Sequence, residues 1–125
     1  MYQILLTTAD QRLVSMIQDA LKSSPVACAV VDTVQTAARE LQSDARPDIV
    51  MLDLSIAHAL TFLQEMKRLQ VFADLPVLAL IDEPDSEQIK LALEAGADRW
   101  VTTGFMRTTL FSVIKQLITT EKEKS

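Results

Sequence analysis

The sequence predicts an α/β fold, in which a parallel sheet of five strands is covered by helices on both faces. Five short apolar runs that favour strands alternate with five segments whose apolar residues recur at helical spacing. The run from Ile49 to Leu54 is apolar except for Asp53, which indicates a strand buried on both faces. The few residues between successive elements are typical of a parallel sheet with right-handed crossovers.

The strands are predicted from short apolar runs rich in β-branched residues. They are expected at positions 3–7 (β1), 26–31 (β2), 49–54 (β3), 76–81 (β4) and 98–102 (β5). The middle strand, β3, ends at a carboxylate. The carboxyl edge of an open α/β sheet is where ligands bind, because loops and helix N-termini converge there. Asp53 is therefore the first candidate site residue.

The helices are predicted from apolar periodicity and from residues that start or stop a helix. Helix α1 is expected from an N-cap at Asp10 to about Lys22, and α2 from Asp32 or Thr33 to a point before position 47. The α3 pattern spans 59–69 and the α5 pattern spans 110–117. Helix α4 is expected to start at Asp85, with Gln88 at capping-box spacing, and to end at Gly96. Its inward residues are predicted to be Ile89, Ala92 and Leu93.

Length and composition predict one domain over residues 1–120, followed by a charged segment, 121–125, that is either a tail or the start of a linker. The net charge of −5 argues against nucleic-acid binding by this domain. Cys28 is the only cysteine, so we expect no disulfide and no cysteine-based metal site. No stretch reads as a signal peptide or membrane span, and we expect a cytoplasmic location without membrane attachment.

Four segments of the chain resemble one known family: 4–6 (Ile-Leu-Leu), 47–54 (Pro-Asp-Ile-Val-Met-Leu-Asp-Leu), 75–78 (Leu-Pro-Val-Leu) and 94–100 (Glu-Ala-Gly-Ala-Asp-Arg-Trp). The chain is similar over its whole length to a response-regulator receiver (CheY-like) domain, the phosphoacceptor module of two-component signalling. This resemblance implies a flavodoxin-like, doubly wound sheet of order 2-1-3-4-5 with five helices. It also implies a site at the switch point between β1 and β3.

The resemblance assigns a role to five positions, and the chain keeps only one of the expected groups. The phosphoacceptor position is Asp53. The acidic pair that holds Mg²⁺ falls on Thr8 and Ala9, the hydroxyl that reads the phosphoryl group on Ile81, and the lysine that pairs with it on Thr103. Because Mg²⁺ requires several oxygen ligands in strict geometry, we expect no metal site and no cofactor. Asp53 is then expected to accept hydrogen bonds from Thr8, Thr103 or nearby backbone N–H groups.

Three functions remain open. The first is a pseudo-receiver, a signalling module without enzymatic activity that binds a protein partner independently of Mg²⁺ and of Asp phosphorylation. The second is a phosphoacceptor response regulator in a phosphorelay, with Mg²⁺ as cofactor and Asp53 as the phosphorylated residue; Asp10 is its one substitute metal ligand. The third, a flavin- or nucleotide-binding protein of the same fold, lacks a Gly-rich phosphate loop after β1.

The resemblance also implies a surface for a protein partner or a second copy of the chain. Receivers often use the α4-β5-α5 face. The candidate residues there are Leu91, Ala95, Trp100, Phe111 and Ile118. His58 is a lone histidine and is interpreted as a surface residue, because a metal site needs several converging ligands.

Overall fold

The computed structural model describes residues 2–22, 26–43, 46–81 and 85–102. Strands and helices alternate over this part of the chain. The strands are β1 (Tyr2–Thr7), β2 (Val26–Val31), β3 (Ile49–Asp53), β4 (Val77–Ile81) and β5 (Arg99–Thr102). The helices are α1 (Gln11–Ala20), α2 (Val34–Gln42), α3 (Ala59–Arg68) and α4 (Ser86–Ala95). The predicted α5 and the segment 121–125 lie outside the described residues.

The five strands form one parallel sheet in the order β2-β1-β3-β4-β5. The prediction of the sheet and of its strand order is therefore confirmed. The strand after the first crossover lies on one side of β1 and the next strand lies on the other. This reversal places the switch point between β1 and β3, where Thr7 is opposite Leu52.

The sheet buries apolar side chains on both faces, as the near-continuous apolar runs predicted. Every residue of β3 and of β4 is buried. Alternate residues of these strands enter two separate clusters, because successive side chains of a strand point to opposite faces. One cluster packs against α2, α3 and α4 and the other against α1. The central strands are thus rigid supports for whatever stands at their carboxyl ends.

In the described ranges three α-helices start at a residue whose side chain caps them; Asp10 and Asp85 were predicted there, and Thr33 was one of two residues predicted for the start of α2. Asp10 accepts hydrogen bonds from the backbone N–H groups of Arg12 and Leu13 at the start of α1. Thr33 accepts one from Thr36 at the start of α2. Asp85 caps α4, which ends at Gly96 in the left-handed conformation with φ of 116°. Helix α1 ends at Ala20, two residues before the predicted end.

The outward and inward faces of α4 differ from the prediction at two positions. Leu93, expected in the core, is 47% exposed, whereas Ala95, expected on the partner surface, is only 5% exposed. Ala92 and Ala95 lie three residues apart and therefore share the face that packs on the sheet. The leucine pattern misled the prediction because the small alanines, not the leucines, allow the helix to approach the strands. Ala95 is removed from the candidate partner surface.

A short 3₁₀ helix, η1 (Gln70–Phe72), follows α3 and was not predicted. It brings Phe72 into the core while Leu69 and Val71 remain exposed. None of the helices in the described ranges is both long and apolar enough to cross a membrane.

Candidate functional site

Asp53 is the last residue of β3 and lies at the carboxyl edge of the sheet. Its side chain is 7% exposed. Thr8, the first residue after the neighbouring strand β1, is 1% exposed. The sheet fixes both residues. Asp53 ends β3, which pairs with β1. Thr8 follows β1 directly, and its backbone N–H donates to the carbonyl of Val31 on β2 at 2.9 Å. The strand register thus brings a hydroxyl and a carboxylate together.

Both carboxylate oxygens of Asp53 accept hydrogen bonds from the protein. The Thr8 hydroxyl donates to Oδ2 at 2.6 Å. On the other oxygen, Oδ1, the backbone N–H of Ser55 donates at 2.9 Å and the Ser55 hydroxyl at 2.7 Å. Among the described residues, the Asp53 carboxylate is thus contacted by three hydrogen-bond donors and by no positively charged side chain. The expected bond from Thr8 is present, and so is one from a nearby backbone N–H.

Thr8 links this carboxylate to the start of α1. Its hydroxyl oxygen accepts the backbone N–H of Asp10 at 3.2 Å while its hydrogen goes to Asp53. Thr8 is therefore a bridging residue and supplies no negative charge. Ala9, the other position of the expected acidic pair, is exposed and offers only a methyl group.

The remaining positions of the expected site are dispersed. Ile81 is fully buried in the cluster beneath α2, α3 and α4, at the end of β4. Thr103 lies outside the described residues, so its predicted hydrogen bond to Asp53 stays a prediction. The residue missed by sequence reasoning is Ser55. The sequence does contain a signal for Ser55, because an Asp side chain commonly accepts a hydrogen bond from the backbone N–H two residues further along the chain.

An open cavity of about 450 Å³ lies beside Asp53. It is lined by three loops that leave the carboxyl ends of neighbouring strands, β1, β2 and β3. The ionisable residues on its wall are Asp10, Asp32, Asp53 and His58. The cavity thus has the position expected of a ligand site in this class of sheet, with an acidic wall.

Two acidic residues of the cavity, Asp10 and Asp53, are engaged in hydrogen bonds with the protein. Oδ1 of Asp10 accepts the N–H groups of Arg12 at 2.9 Å and Leu13 at 3.4 Å, which holds this carboxylate on the helix end as a cap. Within the described ranges, no three His, Cys, Asp or Glu side chains converge as metal ligands would. Asp53 is a single carboxylate whose two oxygens already accept three hydrogen bonds. In this arrangement Asp10 serves as a helix cap and the oxygens of Asp53 are engaged by the protein, whereas Mg²⁺ prefers six oxygen ligands in octahedral geometry.

His58 is exposed, as predicted, and lines the same cavity. It precedes α3 in the left-handed conformation with φ of 65° and makes no side-chain capping bond. Left-handed backbone at a residue with a β-carbon is disfavoured, so this turn carries local strain at the rim of the cavity.

Comparison by sequence finds no matching family model and no matching curated protein. Comparison by structure finds many receiver domains. The receiver domain of a signal transduction histidine kinase from Syntrophus aciditrophicus superposes with a TM-score of 0.84 at 22% identity, over 95% of this chain and 91% of that one. A CheY-like receiver domain protein from Methanospirillum hungatei JF-1 gives 0.86 at 13% identity, over 100% and 99%.

A third similar structure is the Mn²⁺-bound form of the response regulator Rcp1. Its TM-score is 0.74 at 20% identity, over 97% of this chain and 92% of that one. The likeness extends over the whole domain in all three cases. The five-stranded parallel sheet of order β2-β1-β3-β4-β5 agrees with it. This chain therefore has the fold of the response-regulator receiver domains.

Proposed function

We propose that this chain is a receiver-like signalling module that acts by binding a protein partner and does not depend on Mg²⁺ or on phosphorylation of Asp53. The observation that carries the proposal is the environment of Asp53. Both of its oxygens accept hydrogen bonds from Thr8 and Ser55, and neither Thr8 nor Ala9 offers a second carboxylate. The carboxylate is satisfied by the protein itself.

Phosphoryl transfer to an aspartate requires stabilisation of the negative charge that spreads over the transferred group. In receivers this stabilisation comes from a metal ion and a lysine. Here the metal ligands are lacking, and the lysine position is Thr103. Loss of one charge-stabilising group commonly slows a reaction by about 100-fold or more, so loss of both leaves no useful rate.

The read-out of phosphorylation is also altered. In receivers a Ser or Thr after β4 moves toward the phosphoryl group, and an aromatic ring on β5 turns inward behind it. Ile81 stands at the first position, is completely buried and has no hydroxyl. Trp100 at the second position is 39% exposed on the edge strand β5. An exposed ring on β5 and a buried isoleucine without a hydroxyl fit a fixed surface better than a switch.

The partner surface that we propose is the face around α4 and β5. Leu91 on α4 and Trp100 on β5 expose 43% and 39% of their surface. Large exposed apolar side chains on two adjoining elements are typical of an interaction surface. Phe111 and Ile118 lie outside the described residues, and their part in this surface is a prediction. The occupant is a protein partner or a second copy of the chain.

The alternative is a phosphoacceptor response regulator, and one observation favours it. Asp53 lines an open cavity of about 450 Å³ at the same sheet edge that holds the phosphorylation site of receivers. In that case Mg²⁺ would bind through Asp53 and Asp10, and Asp10 would have to leave its capping position.

The two functions are separated by phosphorylation with acetyl phosphate in Mg²⁺, followed by intact mass spectrometry. We expect no phosphoryl adduct on the wild-type chain. The double variant Thr8→Asp/Ala9→Asp restores the acidic pair and serves as the matched comparison, with Asp53→Asn in the same background as the control for the site. An adduct on the wild type that disappears in Asp53→Asn would contradict the proposal and establish the alternative.

A further inference from the structure

The sheet ends on one side at β2, which pairs only with β1. This edge is six residues long and runs Val-Ala-Cys-Ala-Val-Val. Of these residues, Ala29 and Val30 are exposed and the first three are partly exposed. Over the described residues no other segment pairs with this strand, so its outer backbone groups face outward.

The hydrogen bonds of β1 identify which backbone groups those are. The N–H of Thr8 donates to the carbonyl of Val31, so Val31 points its backbone groups toward β1. Because backbone groups alternate in direction along a strand, Ala27 and Ala29 also point toward β1. The N–H and C=O groups of Val26, Cys28 and Val30 therefore point away from the sheet. They form a regular row of three donors and three acceptors.

Proteins usually protect such an edge with a charged side chain, a proline or a bulge. Residues 26–31 contain none of these devices, and their pairing with β1 is continuous from Val26 to Val31. The opposite edge of the sheet differs, because β5 carries the exposed charge of Arg99. The β2 edge is thus the unprotected one.

We propose that the β2 edge pairs with the β2 edge of a second copy of this chain, in antiparallel orientation, to make one continuous sheet of ten strands. The outward groups fix the register. Only residues that point outward can exchange hydrogen bonds, and a two-fold axis through Cys28 pairs Val26 with Val30 and Cys28 with its own copy. The three outward donors and three outward acceptors of each strand are then all used, in six hydrogen bonds between the two strands.

A second copy suits this edge better than an unrelated strand because the edge complements itself. Every side-chain pair across the axis is uncharged: Val26 faces Val30, Ala27 faces Ala29, and Cys28 faces its own copy. The nearest charge, Asp32, follows the strand, so the antiparallel arrangement puts the two copies of Asp32 at opposite ends and apart. No like charges oppose each other although each chain has a net charge of −5.

This interface lies at the far side of the sheet from α4 and β5. It therefore leaves the proposed partner surface free in both copies, and it does not depend on the proposed function. In this pairing the β2 edge of each copy is covered by that of the other. No further copy can add at these edges, so the assembly stops at a dimer.

The test is amide hydrogen exchange of the wild-type chain, followed by NMR at low and high protein concentration. We expect exchange at Val26, Cys28 and Val30 to slow by about tenfold or more from ~20 µM to ~2 mM, since these amides gain partners only in the dimer. The amides of Ala27, Ala29 and Val31 point toward β1 and are the internal control, protected at both concentrations. Fast exchange of the first three at all concentrations would overturn the proposal. So would protection at a concentration at which the chain sediments as a monomer, because a segment of the same chain would then cover the edge.

A variant at Val30 gives a second test. Val30→Pro removes an N–H that has no partner in the single chain but is needed in the dimer, and edge positions of this kind tolerate proline. Val30→Thr keeps the N–H and the branched side chain and is the matched control. In sedimentation equilibrium we expect Val30→Thr to dimerise as the wild type does and Val30→Pro to remain a monomer. Equal dimerisation by a folded Val30→Pro would overturn the proposal. If Val30→Pro does not fold, the exchange measurement on the wild type still decides the question.

Discussion

Two adjacent threonines at the end of β1 are both buried and have opposite roles. The hydroxyl of Thr8 donates to Asp53, whereas that of Thr7 has no hydrogen-bond partner in the described part of the chain. Thr7 is completely buried and lies opposite Val31 and Leu52 in the neighbouring strands. A buried hydroxyl without a partner lowers stability, because it loses its bonds to water and gains none.

Substitution of these threonines by valine should therefore have opposite effects. We expect Thr7→Val to raise the free energy of unfolding by about 1 kcal/mol, and Thr8→Val to lower it by about 1 to 3 kcal/mol because an oxygen of Asp53 loses its donor. Urea unfolding of the two variants beside the wild type measures both. A loss of stability in Thr7→Val would mean that the Thr7 hydroxyl has a partner.

The thiol of Cys28 offers a prediction about pH. Burial raises the pKa of Cys28. The unfolded thiol therefore ionises at a lower pH than the folded one, and the free energy of unfolding should fall as the pH rises through the ordinary thiol range. Cys28→Ala should remove this part of the pH dependence. Thermal unfolding of both proteins from neutral to alkaline pH tests it, and identical slopes would contradict the raised pKa.

Some residue-scale features could be predicted and others could not. Asp53 was found because a carboxylate interrupts a buried apolar strand at the sheet edge where sites form. Ser55 was missed because its role depends on how the chain turns after β3. The isolation of the Thr7 hydroxyl was also hidden, since only the strand register shows which side chains surround it.

At the scale of elements, Asp10 at the start of α1 could act as a helix cap or as a metal ligand, and stability measurements distinguish the two roles. Asp10 and Asp85 cap α1 and α4 through the same pattern of bonds to two backbone N–H groups. We expect Asp10→Ala and Asp85→Ala each to lower the free energy of unfolding by about 1 kcal/mol. Millimolar Mg²⁺ should change neither value. A stabilisation of the wild type by Mg²⁺ that Asp10→Ala abolishes would support a metal site at Asp10.

At the end of α4, the backbone of Gly96 lies against the side chain of Lys67. A methyl group added at Gly96 would approach Cγ of Lys67 to 2.7 Å. Lys67 cannot easily move, because its Nζ donates to the carbonyl of Leu75 at 2.6 Å and pairs with Asp98 at 3.1 Å. Gly96 also has a backbone conformation in the left-handed region, which favours glycine.

We expect Gly96→Ala to lower the free energy of unfolding by roughly 1 kcal/mol or more. In a Lys67→Ala background the same substitution should cost less, because the steric part of the penalty is gone and only the backbone part remains. Urea unfolding of the four proteins gives the coupling. An equal loss of unfolding free energy in both backgrounds would show that the Lys67 side chain moves aside without cost.

Element boundaries and caps were well predicted because their signals are local. Asp10, Asp85 and Gly96 each act within one turn of helix, so the sequence nearby is sufficient. The inward face of α4 was assigned wrongly at Leu93 and Ala95. Which face of that helix packs on the sheet depends on how closely the helix approaches β4 and β5, and no local pattern contains that distance.

At the scale of the whole molecule, the parallel sheet and its order followed from the alternation of strand and helix patterns and from the resemblance to receivers. The fold is thus shared with receiver structures at below 25% identity in the cases compared, although Thr8 and Ala9 stand where the resemblance implies an acidic pair. A fold tolerates such change because packing of the two apolar clusters does not involve Thr8, Ala9 or Asp53.

The proposed partner surface predicts a difference between two equally drastic substitutions. Leu91→Glu should abolish capture of the partner from a cell lysate, whereas Val71→Glu, at a site 59% exposed on η1, should leave it unchanged. A charge at the centre of an apolar interface is costly, whereas the same charge outside it is solvated. Affinity capture with both variants and the wild type, followed by mass spectrometry, makes the comparison. Equal loss in both variants would place the surface elsewhere.

The most direct test of metal and phosphate independence is the response of the amide NMR signals of Thr8, Asp53 and Ser55 to Mg²⁺, and then to beryllofluoride. Because Asp53 is already satisfied by Thr8 and Ser55, we predict no saturable shift at millimolar Mg²⁺ and no further change with beryllofluoride. A saturable shift with Mg²⁺, followed by a beryllofluoride-dependent change that Asp53→Asn abolishes, would contradict the account and restore Asp53 as a phosphorylation site.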